Sequence, residues 1–363
     1  MSNFLTIHQL VSIPWSNLNR DDTGTPKRLF QGGVLRGQLS SQSIKRAIRV
    51  AYENASHDIS IRSGNLADLV VKRVLEIEPN FDEKTAQAIA KKVLDSLVKA
   101  GENSKISLWF SGEEIETCAA AIATGQLTED KFGKKAGKTE SLETVMEPVI
   151  HKHQTGSLAI AAFGRMFASM GEMSTEAAVA VSPAVSTHQA IIETDFFSTV
   201  EDNPREEDGA GSTYLGTGLF TSGCFYRTVT IDRKQLRESW TGIATEAARD
   251  NLAAMVEALI YSLPRGKKNG TAPYVMPGLL LAEEQSHRVA YDFETPVRAG
   301  KAGGFMENSI SELLKQFESA RSFDPDNFGL TVLSGTAEGL EKFGLGYSNK
   351  TDFINQIVDW ILQ

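Results

Sequence analysis

Residues 40–52 read SSQSIKRAIRVAY and join a helix start to a regular apolar repeat. Serine is a preferred N-cap residue, so either Ser40 or Ser41 can begin a helix here. Apolar residues then recur three and four positions apart, at Ile44, Ala47, Ile48, Ala51 and Tyr52. That spacing is typical of a helix with one buried face. The stretch therefore predicts an amphipathic helix.

The polar face of this helix carries cations. Lys45 and Arg49 lie four residues apart, and Gln42 lies one turn before Arg46, so these groups stack along the helix. The backbone N–H groups of a helix N-terminus also favour a phosphate. Together with the serine hydroxyls they suit contacts to a sugar-phosphate backbone, whereas a solvated helix face is the simpler alternative.

The chain before this helix predicts a strand and a long loop. A spacing of two places four apolar residues on one face of a half-buried strand, namely Leu5, Ile7, Val11 and Ile13. The strand ends at Pro14. From Trp15 to Gly37 no period is sustained, and Asn, Asp, Thr and Gly are frequent, so we expect a loop. Loops of this length are usually functional or disordered.

The chain after the helix predicts a mainly helical insertion over residues 59–181. Helical spacing runs through residues 65–125 and returns around residues 139–153. Strand-like patterns occupy residues 158–161, 179–181, 196–200, 224–231, 274–276 and 288–291. Helical stripes occupy residues 252–263, 310–317 and 353–361. This order predicts an α+β fold, and a split βαβ sheet of the ferredoxin or RRM kind fits it.

Two aromatic residues, Phe196 and Phe197, precede an acidic stretch from Glu201 to Ser212. The acidic stretch predicts an exposed hairpin tip. Large apolar residues beside such a tip either belong to a local core or meet a partner. Aromatic rings near cations are what base stacking uses, although a local core is the commoner role.

The composition indicates a folded protein. The chain has 363 residues, of which 41% are hydrophobic and 23% are charged, and this excludes general disorder and a coiled coil. Its length indicates a large domain with insertions or two domains. No apolar run reaches the ~18 residues of a membrane span, and no secretory pattern begins the chain, so we expect a cytosolic protein. Cys118 and Cys224 are far apart and predict reduced thiols.

Charge is distributed unevenly along the chain. The formal net charge is −9, but residues 1–50 hold seven Lys and Arg against two Asp, a net charge of +5. The rest of the chain therefore carries −14. An acidic protein with one basic end is a candidate for a local polyanion site.

Glycine-rich segments do not match known nucleotide-binding motifs. The sequence lacks both the P-loop pattern and the Rossmann glycine pattern. Gly32-Gly33 and residues 300–304 therefore predict turns. The basic loop at residues 265–270 either adds positive potential to a site or is simply exposed.

Two groups of residues could in principle hold a metal ion. His151 and His153 lie near Glu147, but two residues apart on a helix their side chains diverge, so we expect no metal there. Asp21 and Asp22 could hold a divalent ion. A loop turn or an ion pair is the simpler interpretation of these two aspartates.

Seven short segments occur in an informative order and spacing. They are residues 2–4 (SNF), 18–22 (LNRDD), 32–33 (GG), 40–47 (SSQSIKRA), 164–166 (GRM), 187–189 (THQ) and 222–227 (SGCFYR). Taken together they resemble the CasC-type backbone subunit of the type I-E CRISPR Cascade complex. The resemblance covers most of residues 1–230 and is weaker over the last third.

The resemblance implies an α+β fold arranged like a right hand. Residues 1–58 and 224–363 would form an RRM/ferredoxin-like palm. Residues 59–181 would form an inserted helical fingers domain. Residues 182–223 would form a β-hairpin thumb with its base.

The resemblance also implies a binding protein rather than an enzyme, without cofactor or metal. Family members polymerise as a helical filament along one CRISPR RNA, and each thumb folds over the RNA bound by its neighbour. The guide bases then pair with target DNA. The implied partners are CRISPR RNA, target DNA, further copies of the chain, and subunits of the CasA, CasB, CasD and CasE types. The implied location is the cytoplasm, away from any membrane.

Position by position, the resemblance assigns palm contacts with CRISPR RNA to Arg20, Lys27, Ser40, Gln42, Lys45, Arg46 and Arg49. It places Arg165 and Met166 near a kinked nucleotide and makes Phe196 and Phe197 the thumb aromatics, where the family has Trp-Phe. It assigns target-DNA contacts to Lys131, Lys134, Lys135 and Lys138. Residues 34–38 lack the further cations of the family pattern, so one or two backbone contacts would be missing or replaced.

Two other functions stay open on the sequence. Related backbone subunits of other CRISPR types cut RNA with a loop aspartate, so a metal-dependent RNA endonuclease using Asp21 or Asp22 is the main alternative. The third is a monomeric RRM-like protein that binds short RNA. That protein would show no assembly that depends on RNA length.

Overall fold

The protein mixes helices with a mostly antiparallel sheet, which confirms the predicted α+β class. The computed structural model describes residues 2–98, 107–132, 141–199 and 214–363. The strands of this part of the chain are β1 (Phe4–Ser16), β2 (Arg28–Gln31), β3 (Val34–Leu39), β4 (Ser60–Ser63), β5 (Leu108–Ser111), β6 (Val179–Val181), β7 (Ala184–Ser186), β8 (Ile191–Thr199), β9 (Tyr214–Asp232), β10 (Leu279–Gln285) and β11 (Phe328–Ser334). The helices are α1 (Ser41–Ser56), α2 (Leu66–Ile77), α3 (Glu83–Ser96), α4 (Gly112–Ala123), α5 (Leu142–Met146), α6 (Leu158–Phe163), α7 (Arg233–Ser239), α8 (Ala248–Tyr261), α9 (Lys268–Thr271), α10 (Met306–Phe323) and α11 (Lys350–Leu362).

One sheet contains most of the strands. Its hydrogen-bonded order is β11-β10-β1-β9-β7-β3-β2, and β6 and β8 pair with other parts of β9. β1 runs antiparallel to β10, and β10 runs antiparallel to β11. β4 and β5 form a separate antiparallel pair. β8 and β9 pair as long antiparallel strands, in a part of the chain that overlaps the thumb implied by the resemblance.

β1 is buried on both faces, so the prediction of a half-buried strand was wrong. Gln9 donates from Nε2 to the carbonyl oxygen of Ile260 in α8 at 2.9 Å. Leu10, on the opposite face, packs in a core with Leu313 and Phe317 of α10. Successive residues of a strand alternate between its two faces. A central strand between helices on both sides therefore buries polar and apolar residues alike.

β1 also places a histidine in a buried ionic cluster. His8 Nε2 lies 2.9 Å from Glu283 Oε2, and Arg321 Nη1 lies 2.6 Å from Glu283 Oε1. His8 Nδ1 lies 2.8 Å from the hydroxyl oxygen of Tyr226. Burial alone would raise the pKa of Glu283, but the hydrogen bond from His8 and the charges of His8 and Arg321 outweigh burial and lower that pKa.

The helices α2, α3 and α4 have a core of their own. Their buried apolar side chains include Val70, Ile89 and Ile122, which pack in one cluster with Phe110 and Met173. α4 begins with a capping box, in which the side chain of Ser111 accepts from the Glu114 N–H and the Glu114 side chain accepts from the Ser111 N–H. These buried residues recur at helical spacing, which is why the sequence predicts helices in this part of the chain.

The chain divides into two compact units. The sheet unit comprises Met1–Ile48, Val181–Thr230 and Glu257–Ile357. The helical unit comprises Arg49–Ala180, Ile231–Val256 and Val358–Gln363. The division into palm, fingers and thumb is a different one, and its boundaries stay a prediction.

The loop expected from Trp15 to Gly37 is partly strand. β1 continues to Ser16, and β2 and β3 form an antiparallel hairpin. Its turn is Gly32-Gly33, as the sequence predicted, with φ of 59° and 79°. Two consecutive positive φ angles are what a tight hairpin turn requires, and glycine adopts them freely. The hairpin strands bury few side chains, so no apolar alternation revealed them.

Residues 158–161 form part of helix α6 and not the strand that the pattern predicted. All residues from Leu158 to Ala162 are buried. A short apolar run without a polar face cannot distinguish a buried helix from a buried strand. Similarly, the helix expected around residues 139–153 shrinks to α5 in the described residues, and the short strands β4 and β5 interrupt the helical region.

The strands expected at residues 274–276 and 288–291 are absent from the described chain. The strands of this region are β10 and β11 instead. The sequence pattern does not predict β10 because its apolar half is followed by Glu283, whose burial depends on His8 and Arg321. Within the described residues, no helix has the length and apolar character to cross a bilayer.

Candidate nucleic-acid interface

The segment between β1 and β2 is held in place by asparagine side chains. Asn17 Nδ2 donates to the carbonyl oxygens of Gly24 at 3.0 Å and Leu219 at 2.8 Å. Asn19 Oδ1 accepts from the Ser40 N–H at 2.8 Å, and the Lys27 N–H donates to the Asn19 carbonyl oxygen at 2.8 Å. These bonds fix the segment beside the start of α1.

Asp21 closes a turn within this segment. Its Oδ1 accepts from the Thr23 N–H at 3.0 Å, the Thr23 hydroxyl at 2.7 Å and the Thr25 N–H at 2.9 Å. The hydrogen bond from the Thr23 side chain is the largest cause of a lowered Asp21 pKa. Asp21 is therefore engaged in the turn that the simpler interpretation predicted. Among the described residues, no three His, Cys, Asp or Glu side chains are grouped to hold a metal ion.

The N-terminus of α1 presents polar groups beside this turn. Ser40 precedes the helix, and its Oγ accepts from the Ser43 N–H at 3.4 Å. Gln42 and Arg46 are exposed on the first turns, whereas Ile44 and Ile48 are buried. The predicted amphipathic helix is confirmed, and Ser40 is its cap.

A second loop, at residues 265–270, lies beside the same segment although it is far away in the sequence. The Gly266 N–H donates to the Leu18 carbonyl oxygen at 2.9 Å. A Cβ atom at Gly266 would lie 2.5 Å from the carbonyl oxygens of both Asn17 and Leu18. Only glycine fits this approach, which brings Arg265 next to the α1 N-terminus. Arg265 of the basic loop therefore lies near Arg20 and Arg46, as the first of the two interpretations of that loop requires.

These elements enclose an open depression of about 640 Å³, which we call the cationic depression. Three arginines and two aspartates line it, together with Asn19 and Ser43: Arg20, Arg46, Arg265, Asp21 and Asp22. All three arginines are exposed. Guanidinium groups around a hydroxyl and a helix N-terminus match the needs of a phosphate and its sugar.

The other cations assigned to the palm lie in different surroundings. Lys27 is half-buried in a small neighbouring hollow with Asn19 and Gln38. Lys45 is half-buried, and burial lowers its pKa. In the helical unit, Arg49 lies 3.8 Å from Glu53 Oε1 and 5.3 Å from the ring centre of Trp109. The structure thus collects Arg20, Ser43 and Arg46 at one site, and Arg49 is not part of it.

Arg165 is buried and not on the surface. Its Nη1 and Nη2 donate to the two carboxylate oxygens of Glu114 at 2.5 and 2.7 Å, and Nη1 also donates to the Trp109 carbonyl oxygen at 3.1 Å. Met166 beside it is 81% exposed. An RNA contact is therefore open to Met166, whereas Arg165 holds the segment in the helical unit.

Phe196 and Phe197 point to opposite faces of the β8–β9 hairpin, because neighbours on a strand alternate. Phe196 pairs across the hairpin with Thr217, and Phe197 pairs with Gly216. Phe196 is 70% exposed and Phe197 is 42% exposed. The two rings cannot meet the same side of one nucleotide, so their predicted roles must differ.

The lysine-rich segment is described only at its start. Lys131 is exposed on a 3₁₀ turn, Glu129–Phe132. Lys134, Lys135 and Lys138 lie outside the described residues. The target-DNA assignment stays a prediction for all four lysines.

Arg36 replaces none of the cations that the family pattern has after Gly32-Gly33. Its guanidinium is fully buried and donates to the carbonyl oxygens of Ser186, Phe293 and Glu294 at 2.8–2.9 Å. It also donates from Nε to the Gln31 carbonyl oxygen at 3.3 Å. Arg36 therefore fastens the β2–β3 hairpin to the sheet unit.

Comparisons with known proteins cover almost the whole chain. The family model described as CT1975-like protein matches residues 5–360. A solved structure entitled "CRISPR RNA-guided surveillance complex, pre-nicking" is similar at 27% identity and a TM-score of 0.80, over 99% of this chain and 100% of the other. A second, "CRISPR RNA-guided surveillance complex", shares the fold at 23% identity and a TM-score of 0.72, over 98% and 99%. No curated protein matches the chain.

The segments quoted above for the resemblance all lie within or beside the matched residues. The likeness also extends over the last third of the chain, where the sequence segments were weakest. The chain therefore belongs to the CT1975-like family of CRISPR-associated proteins, and its resemblance to the CasC type is confirmed.

Proposed function

We propose that the chain is a CRISPR RNA-binding backbone subunit of a type I-E Cascade surveillance complex. It polymerises along the guide RNA and presents the guide for pairing with target DNA. The cationic depression carries this proposal, because it joins three exposed arginines from distant parts of the chain at a helix N-terminus. The similar solved structure is entitled an RNA-guided surveillance complex, which supports the proposal.

The cationic depression binds the sugar-phosphate backbone of the RNA and does not recognise its base sequence. Contacts from arginine, hydroxyl and backbone N–H groups to phosphate and sugar fix the position of a nucleic acid without discriminating bases. Sequence recognition is then left to Watson–Crick pairing between guide and target, as in RNA-guided systems generally. A protein with this division of labour suits any guide sequence.

Other parts of the chain supply the remaining contacts. The β8–β9 hairpin acts as a thumb over the RNA of the adjacent copy, with Phe196 and Phe197 serving opposite faces. Met166 contacts the kinked nucleotide. Lys131 and the lysines that follow it contact target DNA. Further copies and subunits of the CasA, CasB, CasD and CasE types complete the complex, in the cytoplasm.

The role is one of binding and not of catalysis. Three hydrogen bonds to one oxygen of Asp21 favour a structural turn over a nuclease site. This supports a scaffold that leaves RNA processing and DNA destruction to other proteins.

Native mass spectrometry of the full chain tests the proposal, using single-stranded RNAs of increasing length with and without magnesium. We expect the number of bound copies to rise in regular steps with RNA length, while the RNA stays intact. One bound copy at every length would indicate the RRM-like monomer instead. RNA cut only in magnesium, and spared by an Asp22→Ala variant, would show that the chain is a nuclease.

A further inference from the structure

Near the end of β1, an exposed indole ring packs against the ring of another aromatic side chain. Trp15 stacks on Phe220 of β9, with ring centres 3.8 Å apart and ring planes inclined by 18°. Phe220 is 7% exposed, whereas Trp15 is 37% exposed. Because Phe220 covers one face of the indole, the exposed area of Trp15 lies on its other face and edges.

A cation accompanies this aromatic pair. Lys267 Nζ lies 4.7 Å from the centre of the Phe220 ring. Lys267 is exposed and adopts a positive φ of 47° at the start of α9. A lysine over an aromatic ring is favourable in itself, and it brings a positive charge to the ring on which Trp15 stacks.

The pair adjoins the cationic depression through two short chain segments. Lys267 follows Arg265 by two residues, and Trp15 precedes Leu18 by three. The hydrogen bond from the Gly266 N–H to the Leu18 carbonyl oxygen joins these segments. Arg265 and Leu18 both line the depression. The indole and the lysine therefore belong to the same two chain segments that supply part of the lining of the depression.

We propose that Trp15, supported by Phe220 and Lys267, is a stacking site for an unpaired nucleobase of single-stranded RNA. This inference rests on the proposed function and adds a base contact to its backbone contacts. Stacking on an aromatic ring tolerates any base, because every base has a π-face. Such a site would hold guide RNA of any sequence while the neighbouring arginines hold its phosphates.

Oligonucleotides with and without bases separate stacking from backbone binding. The probes are a 12-nucleotide oligouridylate and an abasic ribose-phosphate of equal length, titrated against the full chain. We expect Trp15→Ala to weaken binding of the oligouridylate by about fivefold or more, the effect of losing one stacked base. Binding of the abasic strand stays unchanged. Trp15→Phe retains most of the affinity, since phenylalanine keeps a π-face.

A matched control is Tyr274→Ala, which removes another exposed aromatic side chain of the sheet unit. It should change neither affinity. An unchanged affinity of Trp15→Ala for oligouridylate, or an equal loss on both strands, would overturn the stacking site alone. Wild-type protein that binds neither strand would overturn the proposed function as well, so the two failures are distinguishable.

Discussion

Arg36 and Arg46 are ten residues apart and have opposite roles. Arg46 is exposed in the cationic depression, whereas Arg36 is buried and donates to four carbonyl oxygens. Replacing Arg36 by methionine removes four hydrogen bonds made by a buried guanidinium, and a hydrogen bond from a charged group contributes at most about 1.5–3 kcal/mol. We expect Arg36→Met to lower the free energy of unfolding by about 3 kcal/mol, measured by urea denaturation.

Arg28→Met is the matched control for that experiment. Arg28 lies on the same hairpin but is exposed. Surface substitutions usually change stability by about 0.5 kcal/mol or less. If both variants unfold at the same urea concentration as the wild type, the carbonyl cluster does not anchor the hairpin.

His188 should make the protein less stable in mild acid. Its Nε2 accepts from the Cys224 N–H at 3.1 Å, so Nδ1 carries the proton and donates to the Gln189 carbonyl oxygen at 2.8 Å. Burial is the main cause of the lowered His188 pKa, and the charge of Arg36 adds to it against the Gln189 hydrogen bond. Because the pKa of His188 is lower in the folded protein than in the unfolded chain, the unfolded chain binds a proton at a higher pH than the folded protein does. The stability from neutral His188 is therefore complete above about pH 6.5 and is lost as pH falls through the folded pKa.

Urea denaturation at pH 7.5 and 5.5 checks this expectation. The wild type should lose more stability between the two values than a His188→Gln variant does. His287→Gln, at an exposed histidine, should keep the wild-type difference. Equal pH dependence in wild type and His188→Gln would assign the acid sensitivity to other groups, such as the buried cluster around Glu283.

At the scale of elements, the loop before α9 depends on one glycine. Gly266→Ala would place a Cβ 2.5 Å from two carbonyl oxygens, so the loop must move and carry Arg265 with it. We expect a stability loss of about 1–3 kcal/mol, the usual range for overpacking, together with weaker RNA binding. Gly270→Ala, four residues on, meets nothing within 4 Å and should change stability by about 1 kcal/mol or less. A Gly266→Ala protein with wild-type stability and RNA affinity would show that the approach is not required.

Elements whose amphipathic pattern is complete were predictable, and buried or edge elements were not. α1 was predicted correctly because Ile44, Ala47, Ile48 and Tyr52 form one buried stripe and its cap is a serine. β10 was missed because Glu283 sits in the middle of a buried strand, where its charge is balanced by residues far away in sequence. The β2–β3 hairpin was not predicted because it has few buried apolar side chains and therefore shows no apolar alternation, although its glycine turn was predicted.

Some residues of the candidate site could also be predicted from the sequence, and others could not. Arg20 and Arg46 were assigned by the family resemblance, and the net positive charge of residues 1–50 agrees with that assignment. Arg265 could only be left open, since its place depends on the close approach at Gly266. The burial of Arg165 was invisible because its partner, Glu114, lies 51 residues away.

At the scale of the whole molecule, the net charge of −9 opposes a polyanion that the cationic depression attracts. Salt decides which effect is stronger. If repulsion from the whole molecule dominated, added salt would screen it and strengthen RNA binding. If local cations dominate, salt weakens binding, and for single strands log K falls with log[salt] by roughly 0.7 per phosphate neutralised. We expect the second behaviour, because contacts within the depression are closer than the Debye length of about 8–10 Å, whereas repulsion from charges beyond that length is largely screened.

Single charge deletions make this expectation quantitative. In a salt titration of RNA affinity, Arg46→Gln should reduce the slope by roughly 0.7, since one phosphate contact is lost. Lys342→Gln removes the same charge from an exposed turn of the sheet unit and serves as the control. Both variants have equal net charge, so a difference in slope between them can only come from position. Identical slopes would mean that RNA responds to the total charge of the protein, and the cationic depression would then have no special part in binding.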